Sequence, residues 1–479
     1  MAWVLSIDLG TSGCRSAVYD ETLTMLASAS TEYPLILLPN GYVEQDANVW
    51  WDCVVSTARE AIAKAGNGEN IKSIAISSQG IAIVPVGEDG NTLCNSQSWL
   101  DGRAVKEAEN VRARFGADEL YNLTGKPVLP NHTICKYIWL KENQPEIYEK
   151  TWKIMLPMDF IQFKLCGECV TDHTMASGTA MYELQACTWS SKLLDEYGLD
   201  VNKLAQIRPS GSVAGQVLPQ VAELLGISKQ AVVALGGQDQ KCGAYGAGAD
   251  LNSISVSLGT GSCITKLFDK PTYHEGKMIP VFSYVKSGLW ELEGVVNTAA
   301  SSYQWFRDTF APDKSFRELD ELAEKAGGPN QELFYPFLQG DATPFFSGGA
   351  GTFTGLAMIT DLGRLARSVM EGIAFRIREN LEAMDDGNDT TTDLRVFGGG
   401  SKSPIWCKII ANVTNKNVIT MPKVETALAG AAKLAFEAIG VQVCQDQIEL
   451  KRYEPDPEMV AAYQKAFENY ESTRHRFFG

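Results

Sequence analysis

A chain of 479 residues exceeds what one ordinary hydrophobic core accommodates, so two large domains are the first expectation. With 45% hydrophobic and 21% charged residues it has the composition of a soluble globular protein, and no segment is biased enough to suggest disorder. The net charge is −16 with both signs interspersed, which leaves no Lys/Arg block for DNA, RNA or anionic lipid, so nucleic acid is not expected as a partner.

The first residues, "MAWVLSIDLG", lack a basic leader and reach Asp8 before any apolar run of signal length. No run approaches the roughly 20 apolar residues of a membrane span, so a cytoplasmic protein without a membrane partner is expected. Eleven cysteines, an odd number mostly scattered singly, suit reduced buried thiols better than a disulfide framework.

In chain order, "WVLSIDL" alternates, Gly10 to Gly13 makes a tight turn, and "CRSAVYD" alternates again, which predicts a β-hairpin. Helical spacing through "DANVWWDCVVSTAREAIAKAG" stops at Gly66. "IKSIAISS" then reads as a buried strand and "GEDGNTL" as a second hairpin turn. The pair "CGEC" (Cys166 to Cys169), with His173 nearby, could be a redox or zinc motif. No second Cys pair completes a zinc set, and the flanks "IQFKL" and "VTD" resemble a hairpin, so a turn around Gly167 is expected.

After Ala249, "NSISVSLGTGSCITKL" restarts the opening hairpin pattern. Helices follow at "LGRLARSVMEGIAFRIRENLEAM" and "SPIWCKIIANVTN", around the strand "DLRVFGG". The tail offers Asp456 as N-cap and Pro457 at the first helical position, with Val460, Tyr463, Phe467 and Tyr470 on one stripe, a packing helix. Residues 1–249 and 250–479 are therefore predicted as two α/β halves.

The duplication is the informative feature. "SIDLGTSGCRSAVYD" (6–20) and "SVSLGTGSCITKLFD" (255–269) are nearly one phrase, except that Asp8 of the first copy is Ser257 in the second. One Gly/Ser/Thr turn is usually a plain hairpin loop. Two copies in equivalent places of two halves suggest paired loops gripping a polyphosphate across a cleft with backbone N–H groups and the hydroxyls of Thr11, Ser12, Thr260 and Ser262. Only one side then needs a carboxylate for a divalent cation, which makes Asp8 the predicted magnesium ligand.

These stretches, with "GYVEQDANVWW" (41–51), "SWLDGRA" (98–104), "KYIWLKEN" (136–143), "LPMDFIQFKLCGE" (156–168), "GGQDQ" (236–240), "MEGIAF" (370–375), "GGGS" (398–401) and "ALAGAAKLA" (427–435), resemble the FGGY carbohydrate kinases over essentially the whole chain, xylulokinases most. The resemblance implies a two-domain α/β fold of the hexokinase/actin (ribonuclease H-like) type with sugar and ATP in a central cleft. It implies Mg2+ as cofactor and leaves a homodimer open.

Phosphoryl transfer to a sugar hydroxyl needs positioning, charge neutralisation and a proton acceptor. Asp239, after the strand "AVVAL" and at the start of a helix, is the predicted base, a role compatible with capping that helix; the helix N-terminus is expected to keep it ionised. In the family the corresponding Asp accepts the proton. Trp99 can stack on a sugar face while Asp101 and Arg103 bind hydroxyls; alternatively "WLDGR" is a surface turn with an internal ion pair. Resemblance favours Trp99 and Asp101 in the sugar pocket beside Gln79. It also implies Gly10, Thr11, Ser12, Arg15, Gly259, Thr260 and Gly261 at the phosphates and Gly399, Gly400 and Ser401 against adenosine.

Departures bear on the substrate. Gly80 and Ile81 stand where xylulokinases carry Met-His, Gln238 and Gln240 replace a Gly and an Asn, and Ala342 replaces a common Arg. A ketopentose such as D-xylulose is the first expectation, with Gln238 among the groups left to pair its hydroxyls. Ribulose, fuculose, gluconate, erythritol or glycerol are alternatives, and a non-catalytic actin-type nucleotide-binding module is the competing class.

Overall fold

The structure is a computed structural model describing residues 2–345, 348–385, 387, 390–421, 424–443 and 449–479. Its first sheet contains β1 (Trp3–Leu9), β2 (Gly13–Tyr19), β3 (Met25–Glu32), β4 (Ile71–Ser78), β5 (Val213–Gln216), β6 (Val232–Ala234) and the short β7 (Gly237–Gln238). The second contains β8 (Ser253–Ser257), β9 (Ser262–Phe268), β10 (Val281–Ser283), β11 (Trp290–Val296), β12 (Asp393–Phe397), β13 (Asn417–Thr420) and β14 (Lys451–Tyr453).

The duplicated phrase is a duplicated sheet. The order β3-β2-β1-β4-β6-β5 matches β11-β9-β8-β12-β13-β14 in strand pairing, although the last two strands enter the chain in opposite order. In both, two antiparallel pairings are followed by two parallel ones and a final antiparallel one. The predicted hairpins are β1–β2 and β8–β9, and the central strands are apolar on both faces because helices cover both. The result is a two-domain mixed α/β protein.

Helices obey their sequence signals. The helix α1 (Ala47–Ala65) starts at Asp46, whose side chain accepts the Asn48 N–H, and ends at Gly66 in the left-handed conformation. Farther on come α2 (Thr133–Asn143) and α3 (Pro157–Cys166). Here the expected hairpin at "CGEC" is corrected: the upstream flank is helix α3, ended by Gly167 at φ 80°. Residues of α3 are buried on nearly every side, which erases the polar/apolar alternation that would reveal a helix. Burial pushes the Cys166 and Cys169 thiols up to about 11 and about 12, so this pair presents no reactive thiolate.

The helix α4 (Asp239–Gly246) follows β7, and the second half adds α5 (Ala300–Phe310), α6 (Leu362–Ala383), α7 (Pro404–Thr414), α8 (Thr426–Ala438) and α9 (Pro457–Phe478). In α9, Asp456 is the N-cap and Tyr463, Phe467 and Tyr470 are buried as the stripe predicts, with Val460 half-buried at its edge. Although α8 belongs to the second half of the sequence, it packs on the first sheet: Leu428, Ala431, Ala432, Ala435 and Phe436 share a core with Val4, Ala17, Ala75 and Ala234. It also crosses α4 so closely that a Cβ on Gly246 would lie 1.8 Å from Thr426 O and one on Gly430 1.9 Å from Cys242 O. The helix that begins at Asp239 is therefore seated on both halves at once.

Among the described residues, no helix is long and apolar enough to cross a membrane.

Candidate active site

The two repeat loops are built alike. Gly10 N–H donates to Gly13 O at 2.9 Å and Gly259 N–H to Gly261 O at 3.1 Å. The last glycine of each abuts the neighbouring strand: a Cβ would stand 2.8 Å from Thr31 O at Gly13 and 3.0 Å from Val296 O at Gly261. The glycines thus serve strand packing as well as any ligand. The copies differ where the sequence differs. Asp8 Oδ1 accepts the Ser77 hydroxyl at 2.8 Å, while Ser257 Oγ turns onto its own hairpin to accept the Cys263 N–H at 2.8 Å.

Asp8 is the penultimate residue of β1, Gln79 follows β4, and Asp239 follows β7, which pairs in parallel with β4 at Ser77 and Ser78. All three therefore emerge side by side at the carboxyl ends of parallel strands, where open α/β sheets place their ligands. Asp239 is the first residue of α4, and the cap is its neighbour Gln238, whose side chain accepts the Gln240 N–H. Asp239 Oδ1 accepts the Gln240 N–H at 2.7 Å and the Gln238 Nε2–H at 2.5 Å.

The charge state differs from the expectation. Desolvation, and then the negative charge of Asp8, push the Asp239 carboxyl up to about 7, outweighing the Gln240 N–H at the helix start and the Lys241 ammonium. Burial likewise raises Asp8 against the Ser77 hydrogen bond and the Arg15 charge. A helix terminus alone does not fix the ionisation when a second carboxylate shares the site.

Around these carboxylates the predicted residues are wired together. Trp99 Nε1–H donates to Thr11 Oγ1 at 2.8 Å, Gln45 Nε2–H to Thr11 O at 2.8 Å, and Gln79 Nε2–H to Gln45 Oε1 at 3.2 Å. Gln45 was not singled out from the sequence, although it lies in the quoted "EQD". Ile81, in the left-handed region at φ 52°, is a costly conformation for a β-branched residue. Its carbonyl accepts from Thr133 Oγ1 at 3.0 Å and the buried Lys136 Nζ at 3.2 Å, and the same ammonium reaches Ser98 O at 2.6 Å. Lys136 thus ties the two walls at Ile81 and Ser98 together.

Asp101 and Arg103 form an internal ion pair, buried rather than on a surface turn. Asp101 is 0% exposed; Oδ1 accepts the Arg103 N–H at 3.0 Å and Nε–H at 2.8 Å, and Oδ2 accepts the Val43 N–H at 2.6 Å and Arg103 Nη2–H at 2.8 Å. Those four bonds fill the lone pairs of a carboxylate. Arg103 also bonds Glu44 at 2.8 Å and lies over the Tyr42 and Trp139 rings at 4.1 and 4.9 Å. Arg15, exposed, pairs with Glu425 of the other half at 2.8 Å.

Next to the second loop lies a cavity of about 810 Å³, lined by Thr260, Gln304, Asp320, Gly399, Gly400 and Trp406 among others. Ser401 turns away, donating to Gly398 O at 2.7 Å. Aromatic rings of Tyr303, Phe316 and Trp406 give it apolar walls suited to a flat heterocycle. The contribution of α5 was missed from sequence; the clue was "SSYQWF", just after β11, and Ala299 and Ala300 N–H groups donate to Thr260 O and Gly259 O at 2.8 Å.

Comparison with known proteins bears on the whole chain. Residues 3–246 match the N-terminal domain, and 254–439 the C-terminal domain, of the FGGY family of carbohydrate kinases. Xylulose kinase of Bacillus subtilis is 28% identical over 98% of this chain and 96% of its own length. The crystal structure of ligand-bound xylulose kinase from Lactobacillus acidophilus superposes with a TM-score of 0.92 at 27% identity, covering 99% of this chain and 98% of that one. A gluconate kinase structure from the same organism gives 0.92 and 27% over 100% and 98%.

Proposed function

This chain belongs to the FGGY family of carbohydrate kinases and is an ATP-dependent carbohydrate kinase; we propose that it phosphorylates a hydroxyl of a ketopentose such as D-xylulose, with Asp239 as the base. The observation that carries the reading is the pair of carboxylates Asp8 and Asp239, set at the ends of two strands that flank β4 and run parallel to it, with the charge of Asp8 opposing ionisation of Asp239. Halves 1–249 and 250–479 are read as the two sides of the cleft.

In this reading Asp239 Oδ2, which accepts no hydrogen bond among the described residues, takes the proton of the sugar hydroxyl as its oxygen bonds to the γ-phosphorus and ADP leaves. A carboxylate near 7 suits that task at neutral pH, since it is both substantially ionised and basic enough to hold a proton. Trp99 and Gln79 line the sugar, and Gln238 borders it. Asp101 and Arg103, saturated by one another, shape that wall rather than contact the sugar. Gly10, Thr11 and Ser12 face Gly259, Thr260 and Gly261 across the phosphates, with Arg15 and Ser401 at the margin, and Gly399 and Gly400 border adenosine in the 810 Å³ cavity.

Mg2+ fits Asp8. Its Oδ2 accepts no hydrogen bond among the described residues, and this ion is usually held by one or two carboxylates with phosphate oxygens and water. When bound it would neutralise charge on the phosphates. A cytoplasmic location suits the ten free cysteines of the described residues. Gluconate is the second reading, favoured by the equal likeness to the gluconate kinase structure. A coupled ADP-release assay over ketoses, polyols and aldonates tests the proposal; release that no member of the panel stimulates would remove the activity.

A further inference from the structure

Gly80 and Gln238 come from strands that lie side by side: Gln238 ends β7 in register with Ser78 of β4, and Gly80 follows two residues beyond Ser78. The backbone at Gly80 does not lie in the left-handed region, so no torsion demands glycine there. Space does. A Cβ at residue 80 would stand 3.3 Å from Gln238 Cγ, closer than most real Cβ contacts, and it is the one neighbour within 4 Å. A larger side chain at 80 and the observed Gln238 conformer therefore compete for one volume.

That conformer is fully used. Gln238 Nε2–H donates to Asp239 Oδ1 at 2.5 Å, and Gln238 Oε1 accepts the Gln240 N–H at 3.1 Å, so the carboxamide caps α4 and holds the carboxylate with its two ends. The Gln238 backbone N–H is itself fixed on Thr174 Oγ1 at 2.8 Å. With Oδ1 taken by Gln238 and Gln240, Oδ2 is the oxygen left for a substrate proton.

We propose that Gln238 is a positioning residue that orients the Asp239 carboxylate from the space Gly80 leaves open, so that residues 80 and 238 act as one coupled unit of the sugar-side wall. The inference rests on Asp239 being the base.

The test is a double-substitution cycle of Gly80→Met and Gln238→Gly on the full chain, read by steady-state kinetics and thermal melting. Gly80→Met should displace the carboxamide, lowering kcat about tenfold and the melting midpoint by about 2 °C or more. Gln238→Gly should lower kcat about tenfold with the KM for ATP unchanged, because the carboxylate loses its orienting donor while the nucleotide side is untouched. In the double variant the methionine has room. Its kcat should equal that of Gln238→Gly, about tenfold above the product of the single effects, and its melting midpoint should recover from the Gly80→Met loss.

Effects that multiply within about twofold in kcat, with melting shifts that simply add, overturn the coupling. Asp239→Asn, measured alongside, separates two failures. If it abolishes turnover while the cycle is additive, only the coupling falls; if it leaves kcat intact, the base assignment falls and takes the positioning role with it.

Discussion

Trp99 Nε1–H donates to Thr11 Oγ1 at 2.8 Å, so one hydrogen bond joins the aromatic wall of the proposed sugar site to the loop proposed to hold phosphate. Trp99→Phe keeps an aromatic face but removes the donor and frees the Thr11 hydroxyl. A neutral hydrogen bond of this kind contributes on the order of 1 kcal/mol, so the KM for ATP should rise by about three- to tenfold even though Trp99 is on the sugar side. Thr11→Val should give the same rise, and the double variant no more than either. KM values for ATP unchanged in all three would show that the bond carries nothing.

The Asp101–Arg103 pair makes a different prediction, one of stability rather than chemistry. Both side chains are buried, and Arg103 is shared with Glu44 and stacked on Tyr42 and Trp139. Removing one partner of a buried pair strands the other charge, so Asp101→Ala should cost about 3 kcal/mol or more in urea unfolding of the half that contains it. Arg103→Lys is not conservative here, because an ammonium can neither make the bidentate pair nor stack on the rings, and it should also destabilise. An Asp101→Asn protein that unfolds like the wild type yet loses sugar binding would return Asp101 to the role of a sugar ligand.

Much of this arrangement was legible in the chain because it is local. Period-two alternation around a Gly-Thr turn specified both hairpins, and their repetition specified two equivalent sheets. The Asp8/Ser257 difference survives as two different hydrogen bonds, one to Ser77 and one back onto Cys263. What escaped was set by partners far apart in sequence. The helix α8 covers the first sheet although it lies beyond residue 425, and no local pattern announces which sheet an alanine-rich face will meet. Asp239 sits near 7 rather than low because it is buried and because Asp8, 231 positions earlier, shares its site, whereas the sequence displays only the helix start. Helix α3 failed as a reading because its uniform burial removed the periodicity on which such readings depend.

A base held up to about 7 by burial and by Asp8 has consequences for pH. Proton acceptance requires the ionised form, so kcat/KM for the sugar should fall as pH drops through about 7, approaching tenfold per unit below it. Stability has the opposite sense. Between the unfolded carboxyl value near 4 and about 7 the folded state binds the extra proton, so this group favours folding at low pH, and that contribution is lost as pH rises through 7. Asp239→Asn should therefore lower kcat by on the order of 10²-fold or more, and its stability relative to wild type should be greater at pH 8 than at pH 5. Equal melting differences at both pH values would mean that Asp239 titrates low, and kcat within a few-fold of wild type would remove it as the base.

The last prediction concerns the sugar. Ile81 presents an aliphatic side chain, and its strained backbone is held by Thr133 and Lys136 through its carbonyl, so the side chain at this position offers no hydrogen bond to substrate. Sites discriminate strongly where buried polar groups must be paired and only weakly where a wall is apolar, because leaving a polar partner empty costs far more than leaving a methyl contact unmade. Among the neighbours, Gln79 is buried with Oε1 lacking a partner, and Gln238 is engaged on Asp239 and Gln240, so the polar readout available is narrow. D-xylulose should accordingly be accepted without a large margin, with another ketose, polyol or aldonate matching or exceeding it in kcat/KM. Ile81→His restores an imidazole at that wall and should raise the preference for D-xylulose over the best competitor. A wild-type enzyme that favours D-xylulose over every other sugar by about a hundredfold, the scale polar readout can deliver, would mean that its hydroxyls are read by groups other than these.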